Sequence, residues 1–346
     1  MARPRVGFLG VGWIGRHRME AMLGCGAIEA IAIVDPDSNM AQAAQALAPD
    51  AAILPSLDEM LALSPDGVVI ATPSALHAAQ AISALQAGAA VFCQKPLGRS
   101  AAEAEAVVAA ARKADRLLAV DLSYRFTDAM RAIVPLIRGG KLGRIHAVDL
   151  VFHNGYGPDK PWFYDKSQAG GGCVMDLAVH LVDLAMWALD FPELEGDVAA
   201  ILLHQGRPVA HHEVEDYAIA QFRLTNGTAV RLACSWRLNG GCDAEIGAAF
   251  YGNKGGAALR NQNGSFYDFT AEHYRGTARE QIARPPDPWG SRAGLHWADK
   301  LAQGGRFDTN AGELIMVARL LDRIYAAAQP RDERDERPAR RSADLY

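Results

Sequence analysis

The sequence predicts a two-domain α/β protein, with an N-terminal doubly wound parallel sheet followed by a C-terminal α+β domain built on a large, mostly antiparallel open sheet. Three observations carry this. A short apolar strand, Arg5 to Leu9, runs straight into Gly10-Val-Gly12-Trp-Ile-Gly15 and a helix from about Trp13 to Leu23. Short apolar strands then alternate with helical stretches to about residue 122, the rhythm of a parallel sheet. From Arg144 onward the strands lengthen and few helices separate them. At 346 residues the chain also exceeds the ~250 residues at which a single core stops growing.

Half of the residues are hydrophobic, 22% are charged and 8% are aromatic, the balance of an ordinary globular protein. A net charge of -5 supplies no basic field for a phosphate backbone, which argues against nucleic acid and for a small-molecule partner. The apolar run from Val6 to Ile14 is short, rich in glycine and followed by Arg16-His-Arg18, unlike a signal peptide or a membrane span. No other uninterrupted apolar run reaches spanning length, so a cytoplasmic protein without a membrane partner is expected. The five cysteines are odd in number and lack Cys-x-x-Cys spacing, which predicts reduced, mostly buried thiols, with no disulfide framework and no zinc site.

Taken in order, the strand–glycine–helix unit at the N-terminus is a dinucleotide fingerprint in its required context. Its glycines permit the tight turn, the approach of a pyrophosphate and close helix-to-strand packing, and the helix N-terminus faces the phosphates. The second strand, Ile28 to Val34, ends in Asp35, about 20 residues beyond the fingerprint, where a carboxylate bonds the adenosine ribose. Its charge would repel a 2′-phosphate, so NAD is expected in preference to NADP. Ser56-Leu-Asp-Glu59 and Ser100-Ala-Ala-Glu103 are capping boxes that start helices. Strands are expected at Gly67 to Ala71, Ala90 to Cys93 and Leu117 to Asp121.

Ligands of such a Rossmann-type sheet bind beyond the carboxyl ends of its strands. Two candidates fall there: Thr72-Pro73, with His77 one turn on, and Gln94-Lys95-Pro96. Gly10, Gly12, Trp13, Ile14, Gly15, Asp35, Thr72, Pro73, His77, Gln94 and Lys95 are thus the candidate cofactor residues. Lys95, between a buried strand and a proline, points into the cleft.

A second signal lies at Gly170-Gly-Gly-Cys-Val-Met-Asp176-Leu-Ala-Val-His180-Leu-Val-Asp183. Val174, Leu177, Ala178, Leu181, Leu184 and Ala185 recur at helical spacing, while Asp176, His180 and Asp183 form a polar line through that apolar surface. One reading is a helix start that favours Asp176 for its dipole, with a histidine satisfied in the core. The other is a carboxylate orienting an imidazole that exchanges a proton with a substrate.

With these motifs in this order, the chain from Val6 to about Gln329 resembles the glucose–fructose oxidoreductase/inositol dehydrogenase (Gfo/Idh/MocA) family. The resemblance matches Lys95 to the lysine of a Glu-Lys-Pro motif, and Asp176 and His180 to a Gly-Gly-x-x-x-Asp-x-x-x-His pattern. It implies that Lys95, Asp176 and His180 are the catalytic set and that NAD is the cofactor. It further implies a substrate that is a sugar, cyclitol or related polyhydroxy compound. Ser123-Tyr-Arg125-Phe matches the segment that leaves the nucleotide domain, where Arg125 either meets substrate or braces the hinge. Gln94 departs from the pattern, since the family usually carries glutamate there. Glutamine keeps a hydrogen-bonding carbonyl and loses the charge, so contact with the nicotinamide-side ribose survives while the electrostatics around Lys95 change.

In the second domain, strands are expected at Arg144 to His153, Val198 to Leu203, Asp216 to Leu224, Thr228 to Trp236 and Ala244 to Tyr251, with a hairpin turn at Thr225-Asn-Gly-Thr228. The resemblance implies that one face of this sheet forms the interface of a homodimer or homotetramer. His153, Asn154 and Tyr156 are substrate-contact candidates, and Lys160 to Tyr164 either lines the cleft or forms a surface loop. His211-His-Glu213 lacks a second ligand cluster, so no metal is expected. Asp308 to Ala328 reads as a terminal helix and Arg331 onward as a charged, mobile tail. The expected division is residues 1–122 for NAD, 123–330 for substrate and oligomerisation, and 331–346 for the tail.

The combined reading is an NAD-dependent dehydrogenase acting on the CH–OH group of a secondary alcohol, with His180 as general base, Asp176 as its orienting carboxylate and Lys95 as the cation on the substrate oxygen. Two alternatives share the fold: a non-catalytic NAD-binding sensor and an NAD-dependent glycosidase.

Overall fold

The structure is a computed structural model that describes residues 2–328, so the expected tail lies outside the described residues. The N-terminal part runs β1 (Arg5–Leu9), α1 (Trp13–Gly24), β2 (Glu29–Val34), α2 (Ser38–Gln45), β3 (Ala52–Ile53), α3 (Leu57–Ala62), β4 (Gly67–Ile70), α4 (Ser74–Gln86), β5 (Ala90–Cys93), α5 (Ala101–Ala114) and β6 (Leu118–Val120). Its six strands lie in the order β3-β2-β1-β4-β5-β6 and every pair is parallel. Strand order reverses between β1 and β4, and that switch point opens a crevice at the carboxyl ends. Ser56 Oγ accepts from the Glu59 amide at 3.2 Å and Ser100 Oγ from the Glu103 amide at 3.3 Å, so both capping boxes start their helices. Strands β4 and β5 are buried along their whole length, which is why they read as unbroken apolar runs.

A one-turn 3₁₀ segment, Ser123–Phe126, leads into α6 (Asp128–Arg138), β7 (Ile145–Asn154) and α7 (Lys166–Ala169). A π-helical turn, Val174–Ala178, then continues into α8 (Val179–Ala188). The rest is β8 (Leu194–His204), β9 (Arg207–Pro208), β10 (Tyr217–Leu224), β11 (Ala229–Ser235), β12 (Ala244–Gly252), β13 (Gly256–Asn261), β14 (Phe269–Arg275), β15 (Ala278–Ala283), α9 (Arg292–Ala302) and α10 (Gly312–Ala327). These nine strands form one sheet in the order β15-β14-β13-β12-β7-β11-β10-β8-β9. It is antiparallel except where β7 and β11 pair parallel. The turn at Asn226-Gly227 joins β10 to β11 as its sequence predicts, with Gly227 at φ +85°.

Helix α8 is buried on nearly all sides, packed against β7, β12 and α10. By length and composition alone, Lys166–Ala188 would cross a membrane, and 83% of its most apolar window lies inside the protein. An all-round apolar helix is what a core position requires.

The sequence does not announce β13 to β15 or α9. β15 is mostly exposed and polar, without the alternation that marks a strand. Helix α9 carries its apolar residues on one narrow face, where Ala293, Trp297 and Ala298 are buried. That face packs on the N-terminal sheet, and the Trp297 ring lies 5.9 Å from Phe92 of β5. Late segments of the chain therefore complete one layer of the first sheet. Of the five thiols, Cys93, Cys173 and Cys234 are buried, and Cys25 and Cys242 are exposed.

Candidate functional site

A cleft of about 710 Å³ lies between the two sheets, lined by the fingerprint turn, by the ends of β4, β5 and β6, and by the start of the π–α8 helix. This is the usual volume of a small-molecule site. Its glycines divide the labour the sequence assigns them. Gly10 sits at φ +81° against the Ala71 backbone, which only glycine tolerates cheaply. A Cβ on Gly15 would overlap the Gly10 carbonyl, so α1 packs close to β1. A Cβ on Gly12 would meet nothing within 4 Å, which leaves its backbone open to a ligand at the amino end of α1. Asp35, at the end of β2, accepts from the Val11 amide at 2.7 Å and the Asp37 amide at 2.9 Å. Its carboxylate is thereby fixed beside the turn. These features fit a dinucleotide.

His77, buried on α4, bridges the next two strand ends: Nδ1 lies 2.7 Å from the Pro96 carbonyl and Nε2 2.7 Å from the Thr72 carbonyl. It lines the cleft and ties the Thr72-Pro73 turn to the Lys95-Pro96 turn. Burial, the dominant effect, lowers its pKa, partly opposed by these two carbonyls.

From the opposite side, Asp176 meets Lys95. Lys95 Nζ donates to Asp176 Oδ1 at 2.6 Å and to the Asp176 carbonyl at 2.8 Å, and Trp236 Nε1 donates to Asp176 Oδ2 at 3.0 Å. Asp176 does not orient His180 in this arrangement, contrary to the sequence expectation. The π turn widens the helix, which takes Asp176 out of the i, i+4 stack and turns it to the lysine. His180 is only 9% exposed, its ring centroid lies 4.8 Å from that of Tyr124, and its Nδ1 is buried without a hydrogen-bond partner among the described residues. Burial lowers its pKa well below the usual histidine range, and the Lys95 and Arg18 cations push the same way. The ring that lines the cleft is therefore a neutral imidazole.

The helix start is fixed by contacts that explain its glycine triplet. Glu215 Oε1 accepts from the Gly172 and Val174 amides, each at 2.9 Å, and from the Tyr325 hydroxyl at 2.8 Å. A Cβ on Gly171 would overlap the Tyr325 hydroxyl, and one on Gly172 the Glu215 backbone.

Four sequence candidates stand elsewhere. Arg125 donates to Asp183 at 2.8 and 2.5 Å and to Glu313 at 2.8 Å, which makes it a brace between the 3₁₀ segment, α8 and α10, and it does not line the cleft. Strand alternation turns His153 away from the core side that Phe152 occupies, and its Nδ1 lies 2.8 Å from Ser235 Oγ. Asn154 accepts from the Tyr156 amide at 2.7 Å, and Tyr156, 57% exposed, donates to Asp243 at 2.6 Å. Neither side chain lines the cleft. Trp162 and Phe163 do line it, stacked with centroids 3.8 Å apart.

The cleft also holds groups that the sequence reading missed. Arg18, Asp121 and Ser123 form a cluster with Gln94. Asp121 follows β6 at the same carboxyl edge that singles out Gln94, so the edge rule would have found it. Tyr124, beside Arg125, also lines the cleft, and burial followed by the Asp176 charge raises its pKa, so its hydroxyl stays protonated. Nothing in the sequence marks Trp236.

Residues 4–122 match the oxidoreductase family with an NAD-binding Rossmann fold, and residues 130–258 match the GFO/IDH/MocA C-terminal domain. A D-glucoside 3-dehydrogenase of Escherichia coli K12 is 28% identical over 269 residues, covering 74% of this chain and 76% of its own. An inositol 2-dehydrogenase of Leifsonia xyli is 34% identical over 191 residues, 54% of each chain. Among solved structures, GenD2 from gentamicin A biosynthesis, in complex with NAD, superposes with a TM-score of 0.80 at 25% identity over 95% of both chains. Levoglucosan dehydrogenase with NADH shares the fold, with a TM-score of 0.80 at 21% identity over 94% of this chain and 97% of its own. With both of its domains matched, this chain belongs to the Gfo/Idh/MocA family of NAD-binding oxidoreductases.

Proposed function

We propose that this protein oxidises a secondary hydroxyl of a sugar, a cyclitol or a related polyhydroxy compound, with NAD preferred to NADP. The observation that carries the reading is the meeting of Lys95, from the NAD-binding sheet, with Asp176 and its neighbour His180 in one cleft. The dehydrogenases of glucosides and inositols among its relatives support the substrate class. Gly10, Gly12 and Gly15 would hold the pyrophosphate and Asp35 the adenosine ribose, with Trp13, Ile14, Thr72, Pro73, His77 and Gln94 along the nicotinamide half. Bound NAD supplies the carbon that accepts a hydride.

The chain's own residues manage the proton. Lys95, paired with Asp176, donates to the substrate oxygen and stabilises charge as it develops there. His180 is neutral, and its Nδ1 is buried, so Nε2 is the nitrogen that takes the hydroxyl proton. Asp176 positions Lys95. The aromatic rings of Tyr124, Trp162 and Phe163 give the sugar an apolar wall and exclude water.

A sensor on this fold would have no use for a neutral imidazole beside an anchored lysine. A glycosidase would release no NADH. We also infer a homo-oligomer formed through the outer face of the nine-stranded sheet, acting in the cytoplasm. The test is NADH absorbance over a panel of glycosides, free sugars and inositols, with NAD and NADP titrated in parallel. The reading expects turnover on at least one polyol and tighter NAD binding. Ligand binding without turnover across the panel would favour the sensor, and equal or tighter NADP binding would remove Asp35 as the selective group.

A further inference from the structure

Gln94 sits at the end of β5, in the wall of the cleft, and its carboxamide has a fixed sense. Its Nε2 donates to Asp121 Oδ2 at 2.5 Å, and only a donor can stand at that distance from a carboxylate. The same oxygen accepts from Arg18 Nε at 2.6 Å, while Asp121 Oδ1 accepts from Ser123 Oγ. Asp121 is 1% exposed and holds three donors from three elements: β5, α1 and the 3₁₀ segment. Three donors on a buried carboxylate fix its orientation. The carboxylate in turn holds what it binds. With Nε2 committed, the other branch of the Gln94 amide, Oε1, has no hydrogen-bond partner among the described residues, and Gln94 lines the cleft together with the fingerprint turn and Lys95.

We propose that Asp121 is a positioning residue that, anchored by Arg18 and Ser123, locks Gln94 so that its carbonyl accepts a hydroxyl from the bound ribose or the polyol. This rests on the oxidoreductase reading and adds a determinant to its site. It also accounts for glutamine at this position. A glutamate at 94 would set a second carboxylate against the buried Asp121, where like charges repel. The arrangement makes the two positions interdependent: an acid at one requires an amide at the other.

The test is a double-mutant cycle with kcat, KM for NAD, KM for the polyol and calorimetric NAD affinity as readouts. Gln94→Glu is expected to lower kcat/KM at least about tenfold. Asp121→Asn is expected to cost several-fold, because an uncharged side chain holds Arg18 and Gln94 more weakly. The double variant should recover to within a few-fold of wild type, since the amide introduced by Asp121→Asn then donates to the carboxylate introduced by Gln94→Glu. Losses that simply multiply would overturn the coupling.

Gln94→Met supplies the arm that does not depend on charge. It fills the same space without an acceptor and removes one of the three donors to Asp121, which Arg18 and Ser123 still hold, and it should raise one KM. A rise in KM and calorimetric Kd for NAD assigns the hydroxyl to the cofactor ribose, and a rise confined to the polyol assigns it to substrate. No change in either would remove Oε1 from the site. The calorimetric arm reads the cofactor side even for an enzyme whose polyol is wrongly chosen, so failure here is distinct from failure of the oxidation reading.

Discussion

At the residue scale, His180 has the most distinctive environment. Its imidazole is neutral because burial, and then the Lys95 and Arg18 cations, disfavour the charged form. A histidine whose pKa is lower folded than unfolded binds its proton first in the unfolded chain. Its contribution to stability is thus complete above the unfolded value near 6.5 and is lost as pH falls below it, at up to about 1.4 kcal/mol per pH unit. His77, also buried and lowered, adds in the same direction. The melting temperature should therefore fall between pH 7 and pH 5, less steeply in His180→Ala than in wild type. The same substitution should lower kcat by about 100-fold or more while NAD affinity stays within a few-fold. Activity within a few-fold of wild type would return His180 to the role of a core residue.

The element that matters most is the π–α8 helix. Its existence was legible, since Val174 to Ala185 repeats at helical spacing through a run too apolar for a surface. The partner of Asp176 was not. Spacing of four residues stacks side chains only on an α-helix, and the turn over Val174–Ala178 is wider, at a helix start that is held from outside. Glu215 and Tyr325 do the holding, from segments about 40 and 150 residues away in the chain. No local pattern encodes contacts at that separation.

The glycine triplet was visible, but the groups that need its missing Cβ atoms were not. Gly172→Ala should therefore act twice. It should destabilise the fold by about 1–3 kcal/mol through overpacking against the Glu215 backbone. By shifting the helix start it should also lower kcat more than NAD affinity. Thermal denaturation and steady-state kinetics on one preparation would check this, and loss of stability with unchanged kcat would show that the helix start does not position the site.

Across the whole molecule, the two sheets were readable as separate rhythms because their burial differs. β4 and β5 are covered on both faces and read as unbroken apolar runs, whereas β10 alternates buried and exposed residues. What the rhythm could not show is how the chain returns. Trp297 of α9 completes the core beneath β5, and α10 packs against both α5, the helix after Lys95, and the π–α8 helix that carries Asp176. The same limit explains why His153, Asn154 and Tyr156 were placed at the substrate, and why Arg125 was left open between a substrate contact and the brace it forms. Each lies near the site in sequence, but strand alternation turns His153 away, hydrogen bonds engage Asn154 and Tyr156 outside the cleft lining, and ion pairs hold Arg125.

The central claim is that the cleft between the sheets performs chemistry because it joins Lys95 to the π–α8 helix. Lys95→Met keeps most of the length of the side chain and removes the ammonium that pairs with Asp176 and that the proposed mechanism sets on the substrate oxygen. The most direct measurement is single-turnover NADH absorbance at enzyme-level concentrations, with saturating NAD and a polyol that the wild type oxidises, run on both proteins after matching their NAD affinity by calorimetry. The account predicts a full-amplitude burst from the wild type and no detectable NADH from Lys95→Met on the same timescale. NADH from the variant at the wild-type rate would contradict it.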